Sequence, residues 1–277
     1  SILRSLNARA RQNQATMIFA EGDDPRVLRA AVQYQRSGMG KALVVGRLED
    51  VRSKLTAEGM ADAVDELEVV NAANSPHLPE YKAFLYKRLQ RQGFDRHDVH
   101  RLAARDRHVF AALMLAHGHG DGLVTGATRK SAHVMQRINM VFDASAEAGA
   151  VGVTALLHKG RIVLVGDTLV HEWPDEQDLA TIAERSADVA RHLGLEPRVA
   201  FVSFSTFGYP RSERAEKMHK APEVLAARGA DFEYEGEMTV DVALNAQAQK
   251  SYPFSRLTGP ANILVVPARH SASISTK

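Results

Sequence analysis

The sequence predicts an α/β protein with a largely parallel sheet covered on both faces. Short apolar, β-branched runs alternate with stretches of helical periodicity almost from end to end. Several of those runs stop at a glycine or a capping residue, which is how a strand hands over to a helix. The 277 residues, 45% of them hydrophobic, are enough to bury one large core or two smaller ones.

In chain order, Ala15–Ala20 is the first strand. Glu21-Gly-Asp-Asp-Pro-Arg26 follows it, with Asp23 or Asp24 as a cap, Pro25 in the first helical turn, and Val27, Leu28, Ala30 and Ala31 at helical spacing. Lys41–Gly46 is a second strand with a glycine exit. The stretch from Ser75 to His119 is mostly helical and basic, with Lys87, Arg88, Arg91, Arg96, Arg101, Arg105 and Arg107. Further strands are Gly122–Thr125, Val151–Leu157, Arg161–Gly166, Arg198–Phe204 and Asn262–Pro267, the middle pair turning at His158-Lys159-Gly160. Amphipathic helices run from Asp175 to Leu193 and from Arg211 to Arg228.

Composition excludes several classes of function. The formal charge of +2 suggests no polyanionic or membrane-surface partner. The basic region lacks interleaved aromatics, so nucleic-acid binding is not expected. No apolar run reaches the roughly 20 residues a membrane span needs. Having no cysteine, the chain has neither disulfides nor a thiol nucleophile, and a cytoplasmic location is expected.

Four strand exits could carry chemistry, because free amides and helix dipoles collect ligands there. Glu21-Gly22-Asp23 reads as a capped helix start. Thr125-Gly126-Ala127, followed by Arg129, Lys130 and Ser131, is either an anion cradle or a tight basic turn. Ser203–Glu213, which includes Ser205 and Thr206, is a second cradle or a loop rich in caps. Glu235-Gly-Glu-Met-Thr-Val-Asp241 gathers three carboxylates, a metal or acid–base cluster if they converge. Without a metal-ligand spacing in the sequence, no metal site is assigned. The histidines are scattered and none is assigned a catalytic role.

In their order, the blocks Phe19–Ala31, Asp121–Ala127, Arg198–Gly208, Glu235–Leu244 and Gly259–Pro267 resemble the phosphate acetyltransferase (phosphotransacetylase) family over nearly the whole chain. The wording of Tyr252–Asn262 and Ala268–Lys277 is closer still to the phosphotransacetylase-like C-terminal domain of large bacterial NADP-dependent malic enzymes. The resemblance implies two αβα sandwich domains with a cleft between them, related to the isocitrate and isopropylmalate dehydrogenases. On it, residues 1–145 plus 250–277 form the first domain and 146–249 the second. A homodimer or larger homo-oligomer is implied, as is an N-terminal malic enzyme domain of the same chain carrying NADP and a divalent metal. Acetyl-CoA or CoA is the implied ligand.

Carried residue by residue, the resemblance places that ligand or its phosphate at Thr125, Gly126, Ala127, Ser131, Ser205, Thr206, Arg88, Arg91 and Arg137. It also shows departures. The enzymes' Arg-Pro on the helix after the turn is here Gln136-Arg137-Ile138, and their Arg-x-x-Lys-Gly is Arg88-Leu-Gln-Arg91-Gln-Gly93. Their Ser-Arg-Gly block with its following aspartate would fall after Lys277, so the sequence is expected to be a fragment. Two functions follow: an acetyl-CoA-binding regulatory and oligomerisation module that is inactive in acetyl transfer, with no catalytic residue, or a working phosphate acetyltransferase.

Overall fold

The computed structural model describes residues 2–143 and 149–277. The chain divides into two compact units, Leu3–Ala144 and Ser145–Lys277. The first opens with α1 (Ile2–Gln12), β1 (Ala15–Phe19), α2 (Pro25–Arg36), β2 (Gly40–Val45), α3 (Leu48–Ala57) and β3 (Glu68–Val70). It continues with α4 (Leu78–Leu89), α5 (Arg96–Arg105), α6 (Arg107–Ala116), β4 (Gly122–Val124) and α7 (Ser131–Asn139). The four strands form a parallel sheet in the order β3-β2-β1-β4.

Strand periodicity explains the layers. Ile18 and Leu43 lie under α4, α5 and α6, while their chain neighbours Phe19 and Val44 face α2 and α3 on the other side. Each fully buried Leu or Ile contributes about 1.5–3 kcal/mol. As expected, Asp24 caps α2, its side chain accepting from Arg26 N with Pro25 in the first turn. Gly40 is required: a Cβ there would lie 1.9 Å from the Ala15 carbonyl oxygen.

The second unit holds β5 (Val153–His158), β6 (Arg161–Gly166), α8 (Glu176–His192), β7 (Arg198–Val202), α9 (Glu213–Arg228) and β8 (Glu233–Met238). These are followed by α10 (Val240–Leu244), α11 (Ala246–Gln249), β9 (Ile263–Val265) and α12 (Arg269–Ser275). Its sheet order is β5-β6-β9-β7-β8, with only β5 antiparallel to its neighbour. The β5–β6 hairpin turns on Lys159 and Gly160, both with positive φ.

One boundary differs from the expected one. Residues 250–277 belong to the second unit, because β9 inserts between β6 and β7 and pairs with both. Apolar Ile263–Val265 signals a strand but carries nothing that says which sheet takes it. β8 went unread as a strand because EYEGEM is not apolar, although its last four residues are buried.

Candidate functional site

In the first unit the strand order reverses between β1 and β4, which places the exits of those two strands side by side. Thr125-Gly126-Ala127-Thr128 leaves β4 through Gly126 at φ +98, a conformation glycine adopts without steric cost. Glu21 leaves β1 and is fully buried. Its Oε2 accepts from Ala127 N at 2.8 Å, and its Oε1 from Thr128 N at 2.9 Å and Thr128 Oγ1 at 2.5 Å. Burial pushes the Glu21 carboxyl up, but the bonds from Thr128 and Ala127 outweigh that and hold it below the usual carboxylate range. An internal carboxylate therefore already fills the place where the Ala127 amide was expected to meet a phosphate.

Thr125 is tied as well. Its Oγ1 lies 2.7 Å from Nδ1 of His108, which is 3% exposed. His108 sits in the first turn of α6, whose cap Asp106 accepts from His108 N and Val109 N. Asp106 Oδ2 also lies 3.0 Å from Arg137 Nε, at ion-pair distance but out of line for an N–H bond. Arg137 Nη1 lies 3.8 Å from Met140 Sδ, and Met140 O accepts from Arg88 Nε at 3.4 Å. Arg88 and Arg137 thus meet around Met140, just past the end of α7. Arg91 stands exposed in the single turn Gln90–Gln92.

Just past this turn the outward side chains are basic. Arg129, Lys130 and Ser131 are exposed, and α7 starts at Ser131 with Lys130 as a cap that makes no side-chain bond. The first amides of α7 and its dipole therefore point out beside two cationic side chains. Arg26 is held between Asp24 Oδ2 at 2.8 Å and the Ala127 carbonyl at 3.0 Å.

Burial pushes the His108 imidazole below its ordinary range, with smaller contributions of the same sign from Arg107 and His133. The unfolded chain then takes up the proton first on acidification, so stability is full above the unfolded value of about 6.5 and declines as pH falls below it. His119 is shifted the same way, by burial first and then by His77 and His117. Urea unfolding at stepped pH from 7.5 to 5 is expected to show a falling midpoint. His108→Gln is expected to flatten that fall, and an unchanged slope would remove His108 as a contributor.

The second unit repeats the device with other residues. Ser205 is fully buried, and its Oγ donates to Glu237 Oε1 at 2.8 Å. The same oxygen accepts from Gly208 N at 2.8 Å, and Glu237 Oε2 lies 2.9 Å from His219 Nδ1. Ser205 thus faces an internal glutamate and not solvent. Thr206 Oγ1 accepts from Thr239 N at 3.2 Å. At the exit of β6, Asp167 likewise takes amides from Gly152, Leu169, Val170 and His171.

The three carboxylates near β8 do not converge. Glu235 pairs with Arg256 at 2.9 Å, Glu237 serves the Ser205 loop, and Asp241 lies exposed in the first turn of α10. Among the described residues no group of three or more metal-ligating side chains is found.

Sequence reasoning placed the bends and missed what closes them: Glu21, His108, Glu237 and His219. The one available signal was a glutamate at the end of an apolar run, where burial demands partners.

A family model for phosphate acetyl/butaryl transferase matches residues 1–277. The NADP-dependent malic enzyme of Rhizobium meliloti (strain 1021) is 44% identical over the whole chain, which covers 36% of that relative. The chain thus spans about a third of the malic enzyme's length. The phosphate acetyltransferase of Thermoanaerobacterium thermosaccharolyticum is 28% identical over 286 aligned residues, 100% of this chain and 86% of the relative. Among solved structures, the EutD phosphotransacetylase from Staphylococcus aureus superposes with a TM-score of 0.86 at 24% identity, over 99% of this chain and 84% of the other, which shows a shared fold. The chain belongs to the phosphate acetyl/butaryl transferase family.

Proposed function

We propose that this chain is the phosphotransacetylase-like domain of an NADP-dependent malic enzyme, binding acetyl-CoA to regulate that enzyme and to assemble it. The parent protein would convert malate and NADP to pyruvate, carbon dioxide and NADPH, with NADP and a divalent metal held outside these residues. A cytoplasmic homodimer or larger homo-oligomer completes the reading. The similarity to malic enzymes, each covered over about a third of its length, supports the placement.

The observation that carries the regulatory reading is the engagement of Arg137. Acetyl transfer to phosphate builds charge on phosphoryl oxygens, and losing one preorganised donor from such a transition state costs about 2.7–4 kcal/mol. The only arginine on α7 sits at ion-pair distance from Asp106. The turn's amides at Ala127 and Thr128 are taken by Glu21. Arg129, Lys130 and the first amides of α7 remain as a grip for the acidic part of an acyl-CoA, which binds without needing a transition-state cation. Arg88 and Arg91 would add cations for further phosphates.

Regulation requires that acetyl-CoA bind two global states of the parent enzyme with different affinity. The second reading, a working phosphate acetyltransferase, is favoured by the 86% coverage of such an enzyme. Two assays on the protein carrying the malic enzyme part separate them. Malate oxidation that responds to acetyl-CoA, with no acetyl phosphate formed from acetyl-CoA and phosphate, is the expected result. Robust acetyl phosphate formation would overturn the regulatory reading.

A further inference from the structure

The second unit contains a carboxylate–imidazole pair that lies outside the α7 edge on which the proposed acyl-CoA binding rests. Glu237 is fully buried, and its Oε1 is occupied by Ser205 Oγ and Gly208 N. Its Oε2 faces His219 Nδ1 at 2.9 Å. Burial pushes the Glu237 carboxyl up, but the bonds from Gly208, Ser205 and His219 outweigh it and hold the group below the usual carboxylate range. An ionised carboxylate only accepts, so the proton in this contact sits on His219 Nδ1. With that proton on Nδ1, Nε2 is the ring nitrogen left to act as a base.

The surroundings separate this pair from its neighbour. His171 faces Asp167 at 2.6 Å, but that ring is buried and its Nε2 makes no hydrogen bond, with Asp178 Oδ1 3.8 Å away. The His219 side chain is 49% exposed and lines an open cavity of about 750 Å³ with Phe207, Arg211, Glu213 and Glu216. At His219, unlike at His171, the oriented imidazole opens onto a cavity that can admit water and a small substrate together.

We infer that Glu237 and His219 form a general-base pair that activates water against uncharged activated acyl groups, as in an ester or thioester of a small acid. His219 Nε2 takes a proton as the water oxygen bonds to the acyl carbon and the carbonyl electrons move onto their oxygen. Those electrons return as the bond to the leaving group breaks, and the imidazolium hands its proton to the departing oxygen or sulfur. The products are a carboxylic acid and an alcohol, phenol or thiol, with water the only co-reactant. Glu237 positions the ring and stabilises its positive charge, as a carboxylate does for an imidazole base. Arg211, in the same cavity, is the cation facing the developing oxyanion. Glu213 and Glu216 disfavour dianionic acyl phosphates there.

The test uses p-nitrophenyl acetate with the 277-residue chain, followed by p-nitrophenol release from pH 5 to 8. A protein-dependent rate above the buffer rate is expected. His219→Gln, whose site is half exposed and whose fold is checked by circular dichroism, is expected to lower that rate at least tenfold. The chain has 12 histidines, so a rate within twofold of the original would assign hydrolysis to scattered surface imidazoles and overturn the proposal. Glu237→Gln is expected to lower the rate as well. Should that variant not fold, the His219→Gln result decides alone. Acetyl-CoA binding is not involved in this readout, so the two readings fail separately.

Discussion

Replacing Glu21 with glutamine is expected to destabilise the first unit by about 3 kcal/mol, the scale of losing charge-assisted hydrogen bonds to a buried carboxylate. The carboxylate holds two backbone N–H groups and one hydroxyl of the turn after β4. Glutamine keeps one acceptor oxygen and points an NH2 at an N–H it cannot satisfy. The acid dependence gives an independent signature. Glu21 is held below its ordinary range in the folded state, so its contribution is complete above the unfolded value of about 4.3 and is lost as pH falls through the folded value. The variant should lose this part of the acid sensitivity. A urea midpoint matching the original protein at pH 7 would mean that the turn is held by something else.

Removing both Arg129 and Lys130 as alanines is expected to weaken acetyl-CoA binding by one to two orders of magnitude, since each charge-assisted bond to phosphate contributes about 1.5–3 kcal/mol, discounted for exposure. Both side chains are exposed and flank the uncapped start of α7, so the fold should be unaffected. The remaining binding should also depend less on salt, because exposed charges are the ones screened. Arg88→Ala with Arg91→Ala is expected to cost less, as Arg88 already shares its guanidinium with the Met140 carbonyl. Unchanged calorimetric affinity on losing Arg129 and Lys130 would remove the α7 edge from the site.

Much of the fold was legible because the parallel strands are buried on both faces and so read as unbroken apolar runs. Ile18 and Phe19, adjacent in sequence, fill opposite layers. The exceptions have physical reasons. β8 carries Glu235 and Glu237 inward, each with a partner brought from far along the chain, and no local pattern reveals Arg256 or Ser205 as those partners. β9 is apolar wherever it is placed, so its insertion between β6 and β7 is decided by the whole sheet.

The site was half legible. Small residues and hydroxyls after β4 and β7 marked the bends correctly, but the same hydroxyls and amides suit an internal carboxylate as well as an external phosphate. Local composition could not choose between them; the neighbouring strand did. Glu21 is the neighbour for Ala127 and Thr128, and Glu237 for Ser205 and Gly208. Arg129, Lys130 and Ser131 keep an outward, exposed position.

The account depends on this fold gripping an acyl-CoA with its outward cations while its inward anion positions are filled by its own glutamates. Titrating acetyl-CoA into the 277-residue chain by calorimetry at low salt tests that most directly. Saturable binding to one class of site, with a dissociation constant in the micromolar range of about −8 kcal/mol, is the predicted result. No saturable heat up to about 1 mM acetyl-CoA, the level of about −4 kcal/mol, would contradict it.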